Sequence, residues 1–310
     1  MTTSAPSAVI LDGLTKRYGD RVAVERLTLE VPSGVVAGLV GPNGAGKTTV
    51  MSMLMGLIRP TEGTGAVLGQ PLSDPAAYVR RVGALIESPA FYPALTGTEN
   101  LRVLAAMGDH DRHRVPLVLE LVGLGSRGSD RFREYSFGMK QRLGIAGALL
   151  GDPDLLILDE PTNGLDPVGS HEMRRLLTGM AREGRTVLVS SHILGELEQV
   201  CDWLVVLDRG ALVYQGPTSG LLEHAETVVV VTPEHDDDLE RLGVLLAAHG
   251  LDPGGADGEL TVDVNGRDPR VLSASLNRLA HSEGVVLAEV HHRRENLQAR
   301  YLTLVSGGTR

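Results

Sequence analysis

The chain has 310 residues, 42% of them apolar, with 29 basic and 39 acidic residues and a net charge of −10. This suits a globular protein of two domains and speaks against a general nucleic-acid binder. No apolar run approaches the ~20 residues that span a bilayer, residues 1–6 show no secretory pattern, and Cys201 stands alone, so the composition points to a cytoplasmic protein without disulfides or paired-cysteine zinc sites.

Residues 8–31 alternate enough for two or three short strands, with residues 16–20 as the turn. Tyr18, on that turn, either packs against the strands or stacks on a purine base. Residues 35–40 form an apolar stretch of strand length, and residues 50–58 are rich in Met and Leu and free of Pro. Between them stand Gly41, Pro42, Asn43, Gly44, Ala45, Gly46, Lys47, Thr48 and Thr49, which fit a phosphate-binding loop without a gap. Glycines let the backbone turn its N–H groups toward an anion, and the following helix adds its N-terminus. Only three of the basic residues are Lys (Lys16, Lys47, Lys140). A compact ammonium at position 47 suits a tight phosphate cradle better than a planar guanidinium, and the Thr48 hydroxyl suits magnesium.

Residues 66–69 and 82–86 read as strands, the second ending at Glu87. Thr96 and Glu99 make a capping box that opens a mostly helical insert reaching about residue 150. His110 and His113 fall in a charged stretch with two arginines, for which a solvated loop is the simpler account than a metal site. Residues 155–158 are wholly apolar and end at Asp159 and Glu160. Residues 173, 176, 177 and 180 mark one face of a helix stopped by Gly184, and the strand at 186–191 ends at His192. Three apolar strands thus end at the phosphate loop, at Asp159-Glu160 and at His192. In an open parallel α/β sheet those ends converge on one ligand site.

Residues 135–142 (YSFGMKQR) complete an ordered set. The phosphate loop, this Ser-x-Gly stretch, Asp159-Glu160, residues 163–166 (NGLD) and His192 together resemble the ATP-binding subunit of an ATP-binding cassette transporter, over residues 8 to about 222. The resemblance implies an α/β phosphate-loop ATPase core with an antiparallel β subdomain and a helical subdomain at about 88–150. It also implies a homodimer or heterodimer of such subunits with two ATP molecules sandwiched head to tail. Carried over, Tyr18 stacks on adenine, Lys47 binds the β- and γ-phosphates, and Thr48 and Asp159 serve magnesium. Glu160 polarises water and His192 contacts the γ-phosphate. Ser136 and Gly138 face the second copy's ATP, with Asp166 at the seam. The pattern departs from the usual Leu-Ser-Gly-Gly-Gln at Phe137 and Met139, and Glu87 stands where most of the family has Gln, as a further carboxylate within reach of magnesium. Glu87 and the following Phe91-Tyr92-Pro93 resemble the branch that exports bacitracin and lantibiotics.

Residues 226–310 read as a separate, acidic α+β domain of ferredoxin-like type, with strands at 227–231, 260–264 and 285–290 and helices at 234–249, 269–283 and 295–305. The function expected is an ATPase that energises export of a drug, antibiotic or peptide through a separately encoded membrane permease, peripheral on the inner face of the membrane. A soluble cassette ATPase acting on ribosomes or DNA is the alternative. The fused second cassette, long coiled coils or zinc clusters that such proteins carry are not visible in this sequence, and no nucleic-acid partner is expected. A nucleotide sensor that does not hydrolyse is disfavoured by the intact Lys47, Asp159, Glu160 and His192.

Overall fold

The computed structural model describes residues 6–87, 90–192, 194–223, 227–255 and 258–294. The chain divides into two compact units, one ending at Thr218 and the other beginning at Ser219. The expected boundary at 222–226 falls next to this division.

The first unit opens with two 12-residue strands, β1 (Ser7–Tyr18) and β2 (Arg21–Pro32). They pair antiparallel from Ser7↔Pro32 to Tyr18↔Arg21. They are longer than the sequence suggested, because register shifts at Leu14 and Lys16 break the alternation without breaking the ladder. The turn is therefore Gly19-Asp20 alone, and Tyr18 closes β1. Strand β3 (Val36–Val40) enters the phosphate loop, and α1 (Lys47–Leu54) leaves it. Then β4 (Glu62–Val67) and the two-residue β5 (Gln70–Pro71) return to the first sheet, whose order is β2-β1-β4-β5.

The second sheet gathers β6 (Val82–Leu85), β7 (Leu155–Leu158), β8 (Thr186–Ser191), β9 (Trp203–Asp208) and β10 (Ala211–Pro217) around β3 in the order β10-β9-β3-β8-β7-β6. It is parallel except for β10, which pairs antiparallel with β9 at the edge. Every residue of β3, β7 and β8 is buried, as expected of strands covered on both faces. The core between the sheets packs Leu11, Leu27, Leu39, Leu207 and, from α1, Met51 and Leu54. Each such side chain contributes about 1.5–3 kcal/mol on burial.

The insert between β6 and β7 is helical, with α2 (Gly97–Met107), α3 (Arg114–Leu121) and α4 (Phe137–Ala148). Thr96 caps α2 in a capping box with Glu99, whose carboxylate accepts from the Thr96 N–H at 2.8 Å. That bond holds the Glu99 carboxyl below its ordinary range. Buried Asn100 fastens the loop ahead of α2, accepting from Tyr92 N at 2.8 Å and donating to Tyr92 O and Thr96 O. Arg114 of the insert and Arg185 of the sheet core both donate to Asp152 Oδ1, at 3.0 and 2.8 Å, bridging the two parts. The unit is completed by α5 (Pro167–Arg182) and α6 (Leu194–Glu198). Cys201 is buried, and desolvation pushes its thiol far up.

The second unit holds most of α7 (Thr218–Glu223), then β11 (Thr227–Pro233), α8 (Asp238–Ala248), β12 (Leu260–Asp263), α9 (Pro269–Ser282) and β13 (Leu287–Arg294). Central β11 pairs antiparallel with both neighbours in the order β12-β11-β13. This is the ferredoxin-like arrangement with its edge strand reduced to one antiparallel bridge, Gly254↔Thr261. Its core packs Val229, Val231, Leu242, Leu246, Leu272 and Leu276. The helix expected from residue 234 begins only at Asp238, because residues 235–237 form an exposed turn ahead of it. The helix expected at 295–305 lies outside the described residues. No helix among the described residues is long and apolar enough to cross a membrane.

Replacing Thr96 by Ala removes the side-chain acceptor for the Glu99 N–H while leaving the bond from the residue 96 N–H to the Glu99 carboxylate, and is expected to cost about 1 kcal/mol. In thermal denaturation this should lower the midpoint by ~2–4 °C for a unit of this size; an unchanged midpoint would show that the cap is dispensable. Cys201 is expected to resist a maleimide at mildly alkaline pH in the native protein and to react fully in denaturant. Rapid native labelling would contradict its burial.

Candidate active site

The phosphate loop is shaped by close backbone approach from below. At Gly41 a Cβ would lie 2.4 Å from Leu207 O, and at Gly46, with φ +100°, it would lie 2.6 Å from Ala23 O. Only glycine fits either position. Gly210 at the β9–β10 turn donates its N–H to Ala45 O at 3.1 Å, and Ala45 donates to Pro42 O, also at 3.1 Å. The loop is thus pinned between the hairpin of the first sheet and the edge of the second. Pro42, Asn43 and Gly44 form its exposed crest, while Ala45 and Lys47 are buried and Thr48 and Thr49 half-buried.

Lys47 is 7% exposed, and its Nζ donates to Gly41 O at 2.7 Å and Pro42 O at 3.4 Å. The same Nζ lies 4.0 Å from Glu160 Oε1. An ammonium buried this deeply is stabilised by the carboxylate and the carbonyls around it. Thr48 Oγ1 donates to Asp159 Oδ2 at 2.9 Å. That bond commits the hydroxyl proton and leaves the Thr48 lone pairs free for a cation.

Asp159 and Glu160 follow β7, the last residue of which, Leu158, pairs with Leu85 on β6 and with Val189 on β8. Glu160 adopts φ +49°, a left-handed conformation that costs a residue with a Cβ roughly 1 kcal/mol. Its Oε2 lies 3.0 Å from His192 Nδ1. A carboxylate only accepts, so Nδ1 carries the proton there. Ser190, wholly buried in β8, accepts the Glu160 N–H at 2.9 Å and donates its own proton to Asp159 Oδ1. Glu87 follows β6 at the same carboxyl edge, exposed and left-handed at φ +65°.

These residues fit a magnesium nucleotide. The loop is held in shape by backbone contacts at Gly41 and Gly46 that only glycine permits, Lys47 supplies a buried ammonium beside it, and Thr48 and Asp159 offer adjacent hard oxygens. No cluster of three or more His, Cys, Asp or Glu that could hold a metal ion exists among the described residues.

Tyr18 is half exposed at the tip of the β1–β2 hairpin, with Lys16 Nζ 5.0 Å over its ring. Ser136 caps α4, accepting from Met139 N at 3.3 Å, and Asp166 caps α5, accepting from Gly169 N at 2.9 Å. With Phe137 and Gly138 they line a separate cleft of about 480 Å³. Tyr135 seats the start of α4 by donating from its hydroxyl to Arg127 O at 2.8 Å. Burial pushes that hydroxyl up, so it remains a donor. Five expected residues (Lys47, Thr48, Asp159, Glu160, His192) therefore meet directly, while Tyr18, Ser136, Gly138 and Asp166 stand at two other places on the unit. Ser190 and Asn100 were missed by sequence reasoning. A serine inside an otherwise apolar buried strand was the available signal for Ser190, because a buried hydroxyl must find partners.

Residues 24–163 match the ABC transporter family. The bacitracin transport ATP-binding protein BcrA of Enterococcus faecalis is 38% identical over 301 residues, 96% of each chain. The lantibiotic transport ATP-binding protein SrtF of Streptococcus pyogenes is 39% identical over 68% of this chain and 91% of its own. A solved ATP binding subunit of an ABC transporter shares 32% identity and a TM-score of 0.63 over 70% of this chain and 92% of that one. With the phosphate loop, the Ser136 stretch and the tips of β7 and β8 in place, the chain belongs to the ABC transporter family as one of its ATP-binding proteins.

Proposed function

We propose that this chain hydrolyses ATP to drive export of an antibiotic or peptide through a separate membrane permease. The observation that carries the reading is the convergence of Lys47, Thr48, Asp159, Glu160 and His192 at the carboxyl edge of one sheet. Full-length likeness to a bacitracin transport protein supports the cargo class. The working form is a dimer of ATP-binding subunits, homologous or identical, held to the cytoplasmic face of the membrane by the permease.

In this reading the loop N–H groups and Lys47 bind the outer phosphates. Thr48 and Asp159 hold magnesium, with Glu87 as a further carboxylate at that edge. Magnesium supplies charge neutralisation and alignment of the phosphates. Glu160 takes the proton of the attacking water. His192, donating from Nδ1 to Glu160 at 3.0 Å, fixes that carboxylate and lies where the γ-phosphate is read. Tyr18 takes the adenine by stacking. Ser136, Gly138 and the N-terminus of α4 complete the γ-phosphate site of the opposite subunit, with Asp166 at the seam. Between β6 and the helical insert lies a cleft of about 620 Å³ lined by Val79, Phe91, Leu104 and exposed Met107 among others. That cleft takes the cytoplasmic end of the permease, so that closure of the ATP sandwich is felt by the membrane subunit.

Glu160→Gln keeps the shape of the side chain and removes the base. Turnover is expected to fall by about 10²–10⁴ while ATP binding persists and an ATP-dependent dimer accumulates in size-exclusion chromatography. Unchanged phosphate release, or no ATP-dependent dimer, would overturn the assignment of Glu160.

A further inference from the structure

Ser190 sits in β8 between β3, which feeds the phosphate loop, and β7, which carries Asp159 and Glu160. It pairs with Leu39 across β3, and register continued from Leu158↔Val189 sets it beside Asp159. It is 0% exposed. A buried serine in a strand has simple ways to satisfy itself, since its hydroxyl can bond back to its own backbone. Here both bonds go instead to the neighbouring strand's tip, as donor to Asp159 Oδ1 and as acceptor from Glu160 N–H at 2.9 Å.

We infer that Ser190 is a positioning residue for the ATPase reaction, setting the Asp159 carboxylate and the Glu160 backbone with one hydroxyl. The inference rests on the reading of Asp159 as a magnesium group and Glu160 as the base. A hydroxyl has one proton, and giving it to Oδ1 fixes the plane of the carboxylate so that Oδ2 faces Thr48, from which it accepts at 2.9 Å. The metal-facing oxygens of Thr48 and Asp159 are thereby held together. Receiving the Glu160 N–H anchors a residue in the left-handed region at φ +49°, and the side chain set by that backbone reaches Lys47 and His192. Alanine at 190 would leave the Glu160 N–H without this acceptor and Oδ1 without this donor. Such outer partners of metal groups change metal affinity or activity by about 10–100-fold when removed.

The test uses the full chain loaded with a non-hydrolysable ATP analogue and titrated with Mn²⁺ by electron paramagnetic resonance, alongside steady-state turnover against magnesium. Ser190→Ala is expected to weaken Mn²⁺ binding about 10-fold and to raise the magnesium needed for half-maximal turnover. Affinity for the analogue in EDTA should stay unchanged. Ser190→Thr, which keeps the hydroxyl, should restore most of the loss; should it misfold, the alanine variant decides alone. In an Asp159→Asn background, Ser190→Ala should weaken Mn²⁺ binding no further. A folded Ser190→Ala protein, judged by its melting curve, with unchanged Mn²⁺ affinity and magnesium dependence would overturn the role of Ser190. If Asp159→Asn also leaves both unchanged, the metal reading of Asp159 falls. If Asp159→Asn shifts them and Ser190→Ala does not, only the Ser190 inference falls.

Discussion

Backbone packed on backbone beneath the phosphate loop is the constraint on which the rest of the first unit depends. Gly46 lies so close to Ala23 O, and Gly41 to Leu207 O, that neither tolerates a Cβ. Gly210, which donates to Ala45 O, is itself pressed against Ala23 with φ +83°. These approaches seal the antiparallel hairpin, the central strand and the β9–β10 turn into one body. A loop that must present several N–H groups to an anion cannot fold around that anion each time without an entropic cost; here the neighbouring sheets hold it in shape.

The electrostatics follow from that placement. Lys47 rises from a buried position and is matched within the unit by Glu160 at 4.0 Å and by two loop carbonyls. Glu160 in turn is shared with His192, and Asp159 with Thr48 and Ser190. Each charged group at the sheet edge thus has partners from a different strand or loop. In this way buried Lys47 and the partly exposed Glu160 and His192 at the strand ends each meet a partner.

Much of this was legible in the sequence because the physical demands were local. The glycines of residues 41–46, the apolar runs of β3, β7 and β8, and the capping box at Thr96 each carry their structure in adjacent residues. What was not legible depended on register. The strands β1 and β2 run past the expected turn because bulges shift the pairing while the ladder continues, so Tyr18 ends a strand rather than lying on a loop. Ser190 gains its meaning only from being level with Asp159 across two strands distant in sequence. Asn100 reads as a helix residue until the loop it fastens is folded over it. The ferredoxin-like reading of the second unit needed only the order of its elements, yet the reduction of its edge strand to the Gly254↔Thr261 bridge follows from pairing alone.

The altered signature stretch has its own physical logic. Where the usual pattern has a small residue, Phe137 is exposed, and its ring lies over Gly164 so closely that a Cβ there would sit 2.5 Å from it. Gly164 belongs to the loop that leaves Glu160, and the same loop ends at Asp166, the cap of α5. Ser136, one residue before Phe137, is the cap of α4. Two helix N-termini, each closed by a short polar side chain, are therefore tied through an aromatic ring resting on a glycine with φ +71°. A shift of the loop after Glu160 must therefore move or repack the Phe137 ring at the start of α4. The bulk at Phe137 thus links the loop after Glu160 to the start of α4 within one unit.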